Sequence, residues 1–499
     1  MGIEVNRRAA LGAAGWGALG LGVGGAAGFG LAPAAAASQM PAAAAVTVQS
    51  WTTQRGPRYF IAHRGSGDVY PEHSMEGYLA AVRAGARCLE ISVGSTSDGR
   101  LVCMHDPTYD RSTTAKGTIA ALPSTVLRGL RLSAPQLGPA WAQPPRPMVP
   151  LLEDVLSAFG GQVVMCIEAK NDAAYPAVMA SVQAHGITDS VIVKASYDSK
   201  RIVEAKAAGY PVFAYFGTAG DVSPGRITTL TRALNPGRDY LVLPVNGSDG
   251  GYLPADLVRR AVSTGIPVWA FPAHRRVDAE HFFQLGCTGI ITSSFQYVSS
   301  NVPTAVSDTW AFGAVAPGEM TRDPSSSAYA PMWVGDELHL GVGGAQHFIT
   351  LGQFGPSPDA TGSYTIDFEA CWLSLPANSS DNLTVAFGRP DDSYYEHRLG
   401  SGNGYHAILR VDGGLELYRH QQGRSDGTPL GESVATSAAR AGEWMAFQVR
   451  VTPGTINWSR VDTSGATVPA VDNTIRGGYL HIGRSSTDGL VAFRRFIVR

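Results

Sequence analysis

The feature that most constrains this chain is a series of eight short apolar segments between residues 45 and 302, separated by segments with helical spacing. Met75, Leu79 and Val82, for example, recur at the spacing of one helix face. Repeated strand–helix units predict a parallel sheet, and eight units over about 250 residues predict a closed (β/α)8 TIM barrel. The strands are predicted near 59–62, 88–93, 163–168, 190–195, 211–216, 240–244, 266–271 and 288–292.

Polar side chains follow three of these apolar segments. His63 ends the first segment, Glu90 lies in the second, and Glu168 and Lys170 end the third. In a TIM barrel the active site is built at the C-terminal ends of the strands. We therefore predict that these four side chains converge on one site.

A hairpin is predicted after the second strand. Ser-Asp-Gly at 97–99 is a tight-turn signal, and the apolar residues after it lead back to His105. Antiparallel pairing around this turn would set His105 opposite Ser92 or Ile91 and beside Glu90. A second histidine is thereby predicted to reach the same site.

His63 and His105 are the candidate general acid and base, because imidazole titrates near neutral pH. Arg64 and Lys170 suit a phosphate group, which a guanidinium binds as a two-pronged fork and an ammonium as a point charge. The alternative interpretation is structural, with each histidine hydrogen-bonded at the surface end of a strand.

Glu90 and Glu168 are predicted to lie at the ends of adjacent strands. Two carboxylates this close repel each other unless a cation lies between them. Their oxygen atoms favour Ca²⁺ or Mg²⁺, so both residues are candidate metal ligands. In the alternative, the carboxylates pair with Lys170 or Arg64, which is compatible with metal binding.

The ordered series of motifs resembles the glycerophosphodiester phosphodiesterase family over about residues 58–300. The signature of that family runs His-Arg-Gly, Pro-Glu-Asn-Thr, Glu-x-Asp, a Thr-x-Asp-Gly turn and His-Asp. The matching segments are His63-Arg64-Gly65, Pro71-Glu72-His73-Ser74, Glu90-Ile91-Ser92, Thr96-Ser97-Asp98-Gly99, His105-Asp106, 150–156, Glu168-Ala169-Lys170 and 289–292.

The resemblance implies a metal-dependent hydrolysis of phosphodiesters. Glu90 and Glu168 would hold the cation, and His63 and His105 would act as general acid and base. A neighbouring glycerol hydroxyl of the substrate would attack phosphorus, and the resulting cyclic phosphate would then be hydrolysed. Glu72 is a secondary candidate, either as a ligand or as a residue that orients an arginine.

The chain departs from the family pattern at three positions. Ser92 stands where the family has a metal-ligand aspartate, and a hydroxyl is a weaker ligand without charge, so we expect a lower cation affinity. Ser293 stands where an aspartate is usual, and His73 replaces an asparagine. Asp106 and Asp172 are the nearby carboxylates that are candidates to substitute for the missing aspartate.

A different pattern begins at about Ser307 and continues to residue 499. Apolar and polar residues alternate along short segments, and Asp412-Gly413-Gly414 separates two of them as a hairpin turn. This pattern predicts an all-β antiparallel sandwich. The alternating apolar sets are Tyr364, Ile366, Phe368, Ala370 and Trp372, and Met445, Phe447, Val449 and Val451.

The end of this region, residues 478–484 followed by 491–493, is similar to concanavalin- and laminin-G-like jelly-roll modules. Exposed aromatic side chains in such modules often stack on sugars, so a glycan is a candidate ligand. In the alternative, the aromatic residues belong to the core of the sandwich.

The first forty residues are predicted to be an export signal. Arg7 and Arg8 precede a weakly apolar, glycine-rich run from Ala9 to Ala32, as in twin-arginine signals. Small residues at 33–37 suit an Ala-x-Ala cleavage, so we expect the mature protein to start near Ser38 and to be secreted or held in the cell envelope. A Sec signal or an uncleaved anchor is the alternative, although the many small residues disfavour a stable membrane helix.

Charge and cysteine content argue against several classes of protein. The formal net charge is −2 and no basic block follows the N-terminus, which argues against nucleic-acid or membrane-surface binding. Five cysteines do not make a disulfide scaffold. Cys88, Cys103 and Cys166 are interpreted as buried free thiols; a Cys88–Cys103 bridge and metal ligation are the less favoured alternatives.

Two functional hypotheses follow. The first is an exported, metal-dependent phosphodiesterase that cleaves glycerophosphodiesters derived from phospholipids or wall polymers. The second is an extracellular protein that binds a phosphate ester or glycan without turnover, because Ser92 and Ser293 have weakened its metal site. A lyase that releases cyclic phosphate lies between the two.

Overall fold

The structure is a computed structural model that describes residues 45–300 almost throughout and most of the C-terminal region. The predicted export signal, residues 1–40, lies outside the described residues, as does the predicted boundary between the two domains near 302–307. The described residues are 45–67, 69–134, 137–138, 141, 145–248, 251–300, 332–340, 347–353, 363–392, 403–421, 424, 426–463, 465–485 and 488–499.

Eight parallel strands close into a barrel, as predicted. The first strand pairs with both the second and the last, with His63 beside Glu90 and Ala62 beside Thr292. A ninth, short strand pairs antiparallel with the second and forms the predicted hairpin. The strands are β1 (Tyr59–His63), β2 (Cys88–Ser95), β3 (Leu101–Cys103), β4 (Val164–Ala169), β5 (Val191–Ser196), β6 (Val212–Tyr215), β7 (Tyr240–Pro244), β8 (Val268–Ala273) and β9 (Gly289–Thr292).

Helical spacing predicts six of the described helices, whereas those at 48–54, 124–127, 224–233 and 295–298 are not among the sequence predictions. They are α1 (Val48–Gln54), α2 (Met75–Arg83), α3 (Ser124–Leu127), α4 (Leu152–Phe159), α5 (Ala174–Ala184), α6 (Arg201–Ala207), α7 (Pro224–Ala233), α8 (Ala255–Val262), α9 (Arg276–Gln284) and α10 (Phe295–Val298). Short 3-10 turns occupy Ile119–Ala121, Thr188–Ser190 and Ala219–Asp221.

Helix α7 is not among the sequence predictions. Only Ile227 and Leu230 are buried in it, so its apolar stripe is too short to stand out. The helix begins where the side chain of Ser223 accepts a hydrogen bond from the backbone N–H of Arg226, with Pro224 in the first turn. Local capping, rather than periodicity, marks this element.

Alternation along the barrel strands divides the apolar residues between two cores. One set faces the barrel interior, including Phe213 and Trp269, and the other packs against the helices. Helix α1 covers the end of the barrel where the strands begin, because the ring of Trp51 lies 5.3 Å from that of Tyr59 and 6.2 Å from that of Trp269. The opposite end, where the strands finish, carries the polar residues discussed below.

The segment from 108 to 147, which the sequence predicts to be a long surface excursion, has a small core of its own. Tyr109, Ile119, Leu127 and Leu132 are buried there with Val102 of β3 and with neighbouring apolar residues. The apolar residues are too widely spaced in this segment to show a strand or helix period. The excursion therefore forms a packed cap beside the β2–β3 hairpin.

The C-terminal region contains two antiparallel sheets, which confirms the predicted all-β architecture. One sheet has the order β10-β11-β23-β13-β19-β20-β21, and the other β12-β22-β14-β15-β16-β17 with β18 paired to β16. The strands are β10 (Met332–Val334), β11 (Glu337–Leu340), β12 (His347–Gln353), β13 (Tyr364–Ser374), β14 (Asn382–Arg389), β15 (Gly404–Arg410), β16 (Gly414–His420), β17 (Thr428–Pro429), β18 (Val434–Ala435), β19 (Met445–Val451), β20 (Thr455–Arg460), β21 (Ala466–Val471), β22 (Tyr479–Ser485) and β23 (Leu490–Val498).

Residues of both sheets form a single apolar core. The rings of Phe368, Phe447 and Trp458 stack in the middle of it, with centroids of the first two 5.2 Å apart. Both predicted alternating sets are buried, which supports the core interpretation of these aromatic residues rather than the glycan-binding one. The predicted Asp-Gly-Gly turn joins β15 to β16.

Asp392, just after β14, joins the sandwich to the barrel. Its carboxylate accepts hydrogen bonds from the backbone N–H groups of Arg276 and Val277 at the start of α9, at 2.8 and 3.0 Å, and from the hydroxyl of Tyr297 at 2.6 Å. The side chain is buried. A residue of one domain thus caps a helix of the other.

Among the described helices, none combines the length and the apolar character needed to cross a bilayer.

Candidate active site

The turn after β1 sets the backbone of the site. Arg64, Gly65 and Ser66 have φ angles of 52°, 74° and 73°, in the left-handed region. A Cβ atom at Gly65 would lie 3.0 Å from the backbone nitrogen of Tyr78, so only glycine fits there. The turn points the backbone N–H of Arg64 at Oε2 of Glu90, at 3.2 Å. Strained backbone of this kind is common at functional sites.

His63 lies between two polar neighbours at the end of β1. Its Nδ1 is 2.6 Å from Oγ of Ser293, which follows β9, and its Nε2 is 4.0 Å from Oε2 of Glu90. Burial and the nearby charge of Arg64 hold the pKa of His63 well below its usual value, although Glu90 opposes them. His63 is therefore a neutral imidazole at neutral pH.

Glu90 and Glu168 are brought together as predicted, with a residue between them that the sequence analysis did not find. Nζ of Lys194, on β5, lies 2.6 Å from Oε1 of Glu90 and 2.8 Å from Oε2 of Glu168. All three side chains are buried. The lysine ammonium takes the position between the carboxylates where a divalent cation was expected.

Charges within this group hold all three side chains ionised. Burial by itself would raise the pKa of Glu90, but the charges of Lys194 and Arg64 hold it well below its usual value. Burial opposes the ionisation of Glu168 as well, and the ammonium groups of Lys194 and Lys170 lower its pKa to about 2. Conversely, burial would lower the pKa of Lys194, but Glu168 and Glu90 raise it above its usual value.

Glu168 has two further partners. Oε1 accepts hydrogen bonds from the hydroxyl of Tyr215 at 2.7 Å and from Nζ of Lys170 at 3.2 Å. The pairing of Glu168 with Lys170 was one of the alternatives left open by the sequence. Ser92, which lies beside Glu168 in the sheet, instead turns its hydroxyl toward Oε1 of Glu90, at 3.4 Å.

His105 enters the site from the hairpin. The β2–β3 ladder ends at the Val93–Cys103 pair, and the backbone N–H of Met104 then donates a hydrogen bond to the carbonyl of Ser92. His105, which was predicted to pair with Ser92 or Ile91, therefore lies just beyond the end of the ladder. Its Nε2 is 3.3 Å from Nζ of Lys170, through which it is connected to Glu168 rather than to Glu90.

Asp106 holds the other side of the His105 ring, with Oδ1 2.7 Å from Nδ1. Because a lysine ammonium can only donate, Nε2 of His105 accepts the bond from Lys170 and Nδ1 carries a proton toward Asp106. Burial, Arg64 and Lys170 lower the pKa of His105, and the bond with Asp106 opposes them.

A network of ion pairs forms the rim. Arg111 binds both carboxylate oxygens of Glu72, at 2.7 and 2.9 Å, and also Oδ2 of Asp106, at 2.7 Å. Glu72 in turn accepts a hydrogen bond from Nη1 of Arg64 at 3.2 Å. The structure thus places Glu72 as a residue that orients Arg64, one of its two predicted roles.

His73 has a structural position. Its φ angle is +58°, its side chain is buried, and its Nδ1 lies 2.6 Å from the hydroxyl of Tyr78. Asparagine and histidine both tolerate the left-handed region, which accounts for the exchange between them at this position. Asp172, proposed as a substitute ligand, is exposed and pairs with Arg201 outside the site.

Sequence reasoning missed Lys194, Tyr215 and Arg111. Lys194 did carry a signal, because it is a single charge in the otherwise apolar strand β5, where parallel strands are buried on both faces. Tyr215 ends β6 in the same way, whereas Arg111 lies in an irregular segment without a pattern.

All five cysteines are free and buried, which confirms the interpretation made for Cys88, Cys103 and Cys166. The thiols of Cys88 and Cys166 lie 3.5 Å apart inside the barrel, one layer below Glu90 and Glu168. The Cys88–Cys103 bridge is absent.

The donor set does not fit a divalent cation as the structure stands. Among the described residues no group of three or more His, Cys, Asp or Glu side chains is arranged to hold a metal ion. Hard cations take six or more oxygen ligands, and here the facing oxygens of two carboxylates are engaged by Nζ of Lys194. Binding of Ca²⁺ or Mg²⁺ by Glu90 and Glu168 stays a prediction.

Comparison with known proteins agrees with this geometry. Residues 63–295 match the model of the glycerophosphoryl diester phosphodiesterase family. A glycerophosphodiester phosphodiesterase of Bacillus subtilis is 26% identical over 249 residues, which are 47% of this chain and 82% of that protein. One of Caldanaerobacter subterraneus is 25% identical over 240 residues, 46% of this chain and 92% of that protein.

Solved structures also match the barrel. A phosphodiesterase of Oleispira antarctica, in complex with the product sn-glycerol-3-phosphate, matches with a TM-score of 0.40 and 21% identity, covering 48% of this chain and 95% of that one. The family match begins at His63 and ends at Phe295, and so spans every barrel residue placed in the site above. Residues 63–295, which lie in the barrel, therefore resemble the glycerophosphoryl diester phosphodiesterase family.

Proposed function

We propose that the barrel hydrolyses glycerophosphodiesters with His63 and His105 as its acid–base pair. The family match and the similarity to a known glycerophosphodiester phosphodiesterase support this activity. The observation that carries the residue assignment is a continuous series of contacts from His63 through Glu90, Lys194, Glu168 and Lys170 to His105 at the strand ends. This series holds two imidazoles and a phosphate-binding lysine in one place.

His63 is assigned as the general base. It is neutral because its pKa is lowered, and Ser293 fixes the orientation of the ring. A neutral nitrogen in a buried setting can take the proton of an attacking hydroxyl.

His105 is assigned as the general acid. It is less buried than His63, and the carboxylate of Asp106 stabilises its protonated form. Lys170, which donates to Nε2 of His105, would turn toward the phosphate when a substrate binds. Nε2 of His105 would then take up a proton from solvent and pass it to the oxygen of the leaving alcohol.

Arg64 and Lys170 are assigned to the phosphate. Both are cations at the strand ends, and both are held by carboxylates on their far side, Glu72 and Glu168. Charged donors of this kind bind phosphate oxygens strongly. The cluster without substrate is balanced, with four carboxylates and four cations: Glu72, Glu90, Asp106, Glu168, Arg64, Arg111, Lys170 and Lys194.

The reaction implied by the family resemblance then runs in two steps. A glycerol hydroxyl next to the phosphate attacks phosphorus, losing its proton to His63, while the leaving alcohol oxygen takes a proton from His105. Water then opens the cyclic phosphate with the two histidines in reversed roles, as microscopic reversibility requires.

The test is hydrolysis of glycerophosphocholine followed by phosphorus NMR. We expect glycerol phosphate from the purified protein, and a loss of at least about 100-fold in kcat in both His63→Asn and His105→Asn. His185→Asn is the matched control, since this partly exposed histidine lies at the end of α5 and contacts Glu153 outside the site. Full activity in both site variants would refute the assignment. Cyclic phosphate as the final product would instead identify a lyase.

A binding function without turnover is the second candidate, favoured by Ser92 and by the ammonium between the carboxylates. It predicts that a glycerophosphodiester binds without product formation and that both histidine variants still bind it. Turnover above background by the wild-type protein would exclude it. A calorimetric titration and the NMR assay on the same sample distinguish binding without turnover from hydrolysis.

Export and glycan binding remain proposals. The paired arginines at 7–8 support export to the cell surface, where phospholipid-derived or wall-polymer glycerophosphodiesters would be the substrates. The sandwich would hold the enzyme near such material. Retention of the protein on isolated cell-wall glycan, compared with the barrel region alone in a binding assay, tests this role.

A further inference from the structure

We infer that Lys194 permanently supplies the positive charge between Glu90 and Glu168, so that this site is complete without a divalent cation. The inference concerns how the site is built. It rests on the proposed phosphodiesterase function only for its kinetic readout.

The distances around the ammonium group of Lys194 support this inference. Nζ of Lys194 lies 2.6 Å from Oε1 of Glu90 and 2.8 Å from Oε2 of Glu168. A Ca²⁺ ion bound by these two oxygens would lie about 2.3–2.6 Å from each, and a Mg²⁺ ion about 2.0–2.1 Å. An ion held by this pair of oxygens and the ammonium group therefore cannot occupy the same space.

The surroundings of Lys194 favour a fixed ammonium group. Its side chain is only 8% exposed, and its Nζ lies 5.0 and 5.7 Å from the ring centroids of Tyr215 and Phe213. Aromatic faces favour a cation, and the strand fixes the start of the side chain. Withdrawal of the ammonium would leave two buried carboxylates facing each other, which is costly.

The net charge of the site is the same with an ammonium group between two carboxylates as with a divalent cation among three. Three carboxylates around a divalent cation carry a net charge of −1, and so do two carboxylates around an ammonium group. Ser92 contributes a hydroxyl without charge, and it turns this hydroxyl toward Glu90 rather than toward a shared centre. A serine at this position and a lysine on β5 are thus mutually consistent, because two carboxylates need only one positive charge to reach the same net charge.

The remaining contacts of the two carboxylates agree with this reading. Glu90 also accepts a hydrogen bond from the backbone N–H of Arg64, and Glu168 accepts bonds from Tyr215 and Lys170. Oε2 of Glu168 faces the ammonium group of Lys194 at 2.8 Å. Both glutamates therefore have counter-charges within the chain.

The wild-type protein provides the first test. After treatment with a chelator and desalting, we expect a change of less than about twofold in the initial rate on addition of Ca²⁺, Mg²⁺ or Mn²⁺, and no rise in Tm on addition of these ions. Elemental analysis should find no stoichiometric metal. Loss of activity on chelation with recovery on Ca²⁺, or one tightly bound ion per chain, would overturn the inference.

Variants provide the second test. Lys194→Ala removes the ammonium, so we expect Ca²⁺ to raise its Tm, and to raise it further in Lys194→Ala with Ser92→Asp. Lys200→Ala, which removes a lysine that is 68% exposed, is the control and should respond like the wild-type protein. Equal responses in all four proteins would contradict the inference. If Lys194→Ala does not fold, the wild-type measurements still decide.

These experiments separate this inference from the proposed function. Cation binding that appears only when Lys194 is removed supports the inference even if no substrate is turned over. Hydrolysis that requires a divalent cation would support the proposed function and refute the inference.

Discussion

The ammonium group of Lys194 lies 2.6 Å from the carboxylate of Glu90, at the end of the barrel where the strands finish. Lys194 is on the strand that pairs with the strand of Glu168, and Glu90 is one strand further around. Three neighbouring strands thus each contribute one charged residue to a buried group. The strand pairing of the barrel therefore brings these charges together, and their mutual neutralisation makes their burial possible.

Replacement of Lys194 by methionine should cost about 3–5 kcal/mol in the free energy of unfolding, because it leaves Glu90 and Glu168 buried without a counter-charge. Urea denaturation at neutral pH measures this loss. Lys200→Met, on the surface, should change stability by less than about 1 kcal/mol. The double variant Glu90→Gln with Lys194→Met should lose less than the sum of the single variants. Strict additivity would contradict the proposed coupling.

Replacement of Asp106 by asparagine should shift the alkaline limb of the pH profile of kcat/KM to lower pH. Asp106 raises the pKa of His105, so removal of its charge lowers that pKa and the protonated acid is lost earlier as pH rises. The profile should be compared with that of Asp172→Asn, which changes a carboxylate outside the site. A shift in the opposite direction would show that His105 is not the acid.

Glu168 should make the protein less stable in acid. Its pKa is lowered from 4.5 to about 2 in the folded protein, so its contribution is full above about 4.5 and is lost as pH falls toward 2. The contribution is about 3 kcal/mol at neutral pH, of which about 2 kcal/mol should be gone at pH 3. The free energy of unfolding of Glu168→Gln, measured at both pH values, should fall less than that of the wild-type protein. An equal fall in the two proteins would contradict this prediction.

Asp392→Ala should weaken the attachment of the sandwich to the barrel. It removes the acceptor of two backbone N–H groups at the start of α9 and of the Tyr297 hydroxyl, which are left buried, at a cost of about 1–3 kcal/mol. Limited proteolysis should release the domains faster than in Asp336→Ala, a change in the exposed turn between β10 and β11. Identical cleavage rates would show that other contacts hold the domains together.

Conversion of Arg7 and Arg8 to lysine should block export in a host with a twin-arginine pathway, because that pathway reads the arginine pair. Cell fractionation with an antibody against the sandwich measures the exported share. A deletion of residues 1–37 is the control for complete retention. Undiminished export of the double-lysine variant would favour the Sec alternative.

The architecture and about half of the candidate site residues can be predicted from the sequence. The apolar periods predict each barrel strand, because alternation and strand–helix spacing follow directly from burying one face of a local element. Once the barrel is known, every residue that ends a strand faces the same end of it. His63, Glu90 and Glu168 could therefore be named from their positions alone, and the sandwich core could be named from period-two alternation.

The residues that lie between these side chains become visible only in the folded barrel. Lys194 is 104 positions from Glu90 in the chain, and its meeting with both glutamates depends on the order in which strands pair and on which way a long side chain extends. The same holds for Arg111, which joins Glu72 to Asp106 from an irregular segment. Sequence periodicity reports on local faces, whereas the balance of charges in a buried cluster is set by residues that only the closed barrel brings within 3 Å.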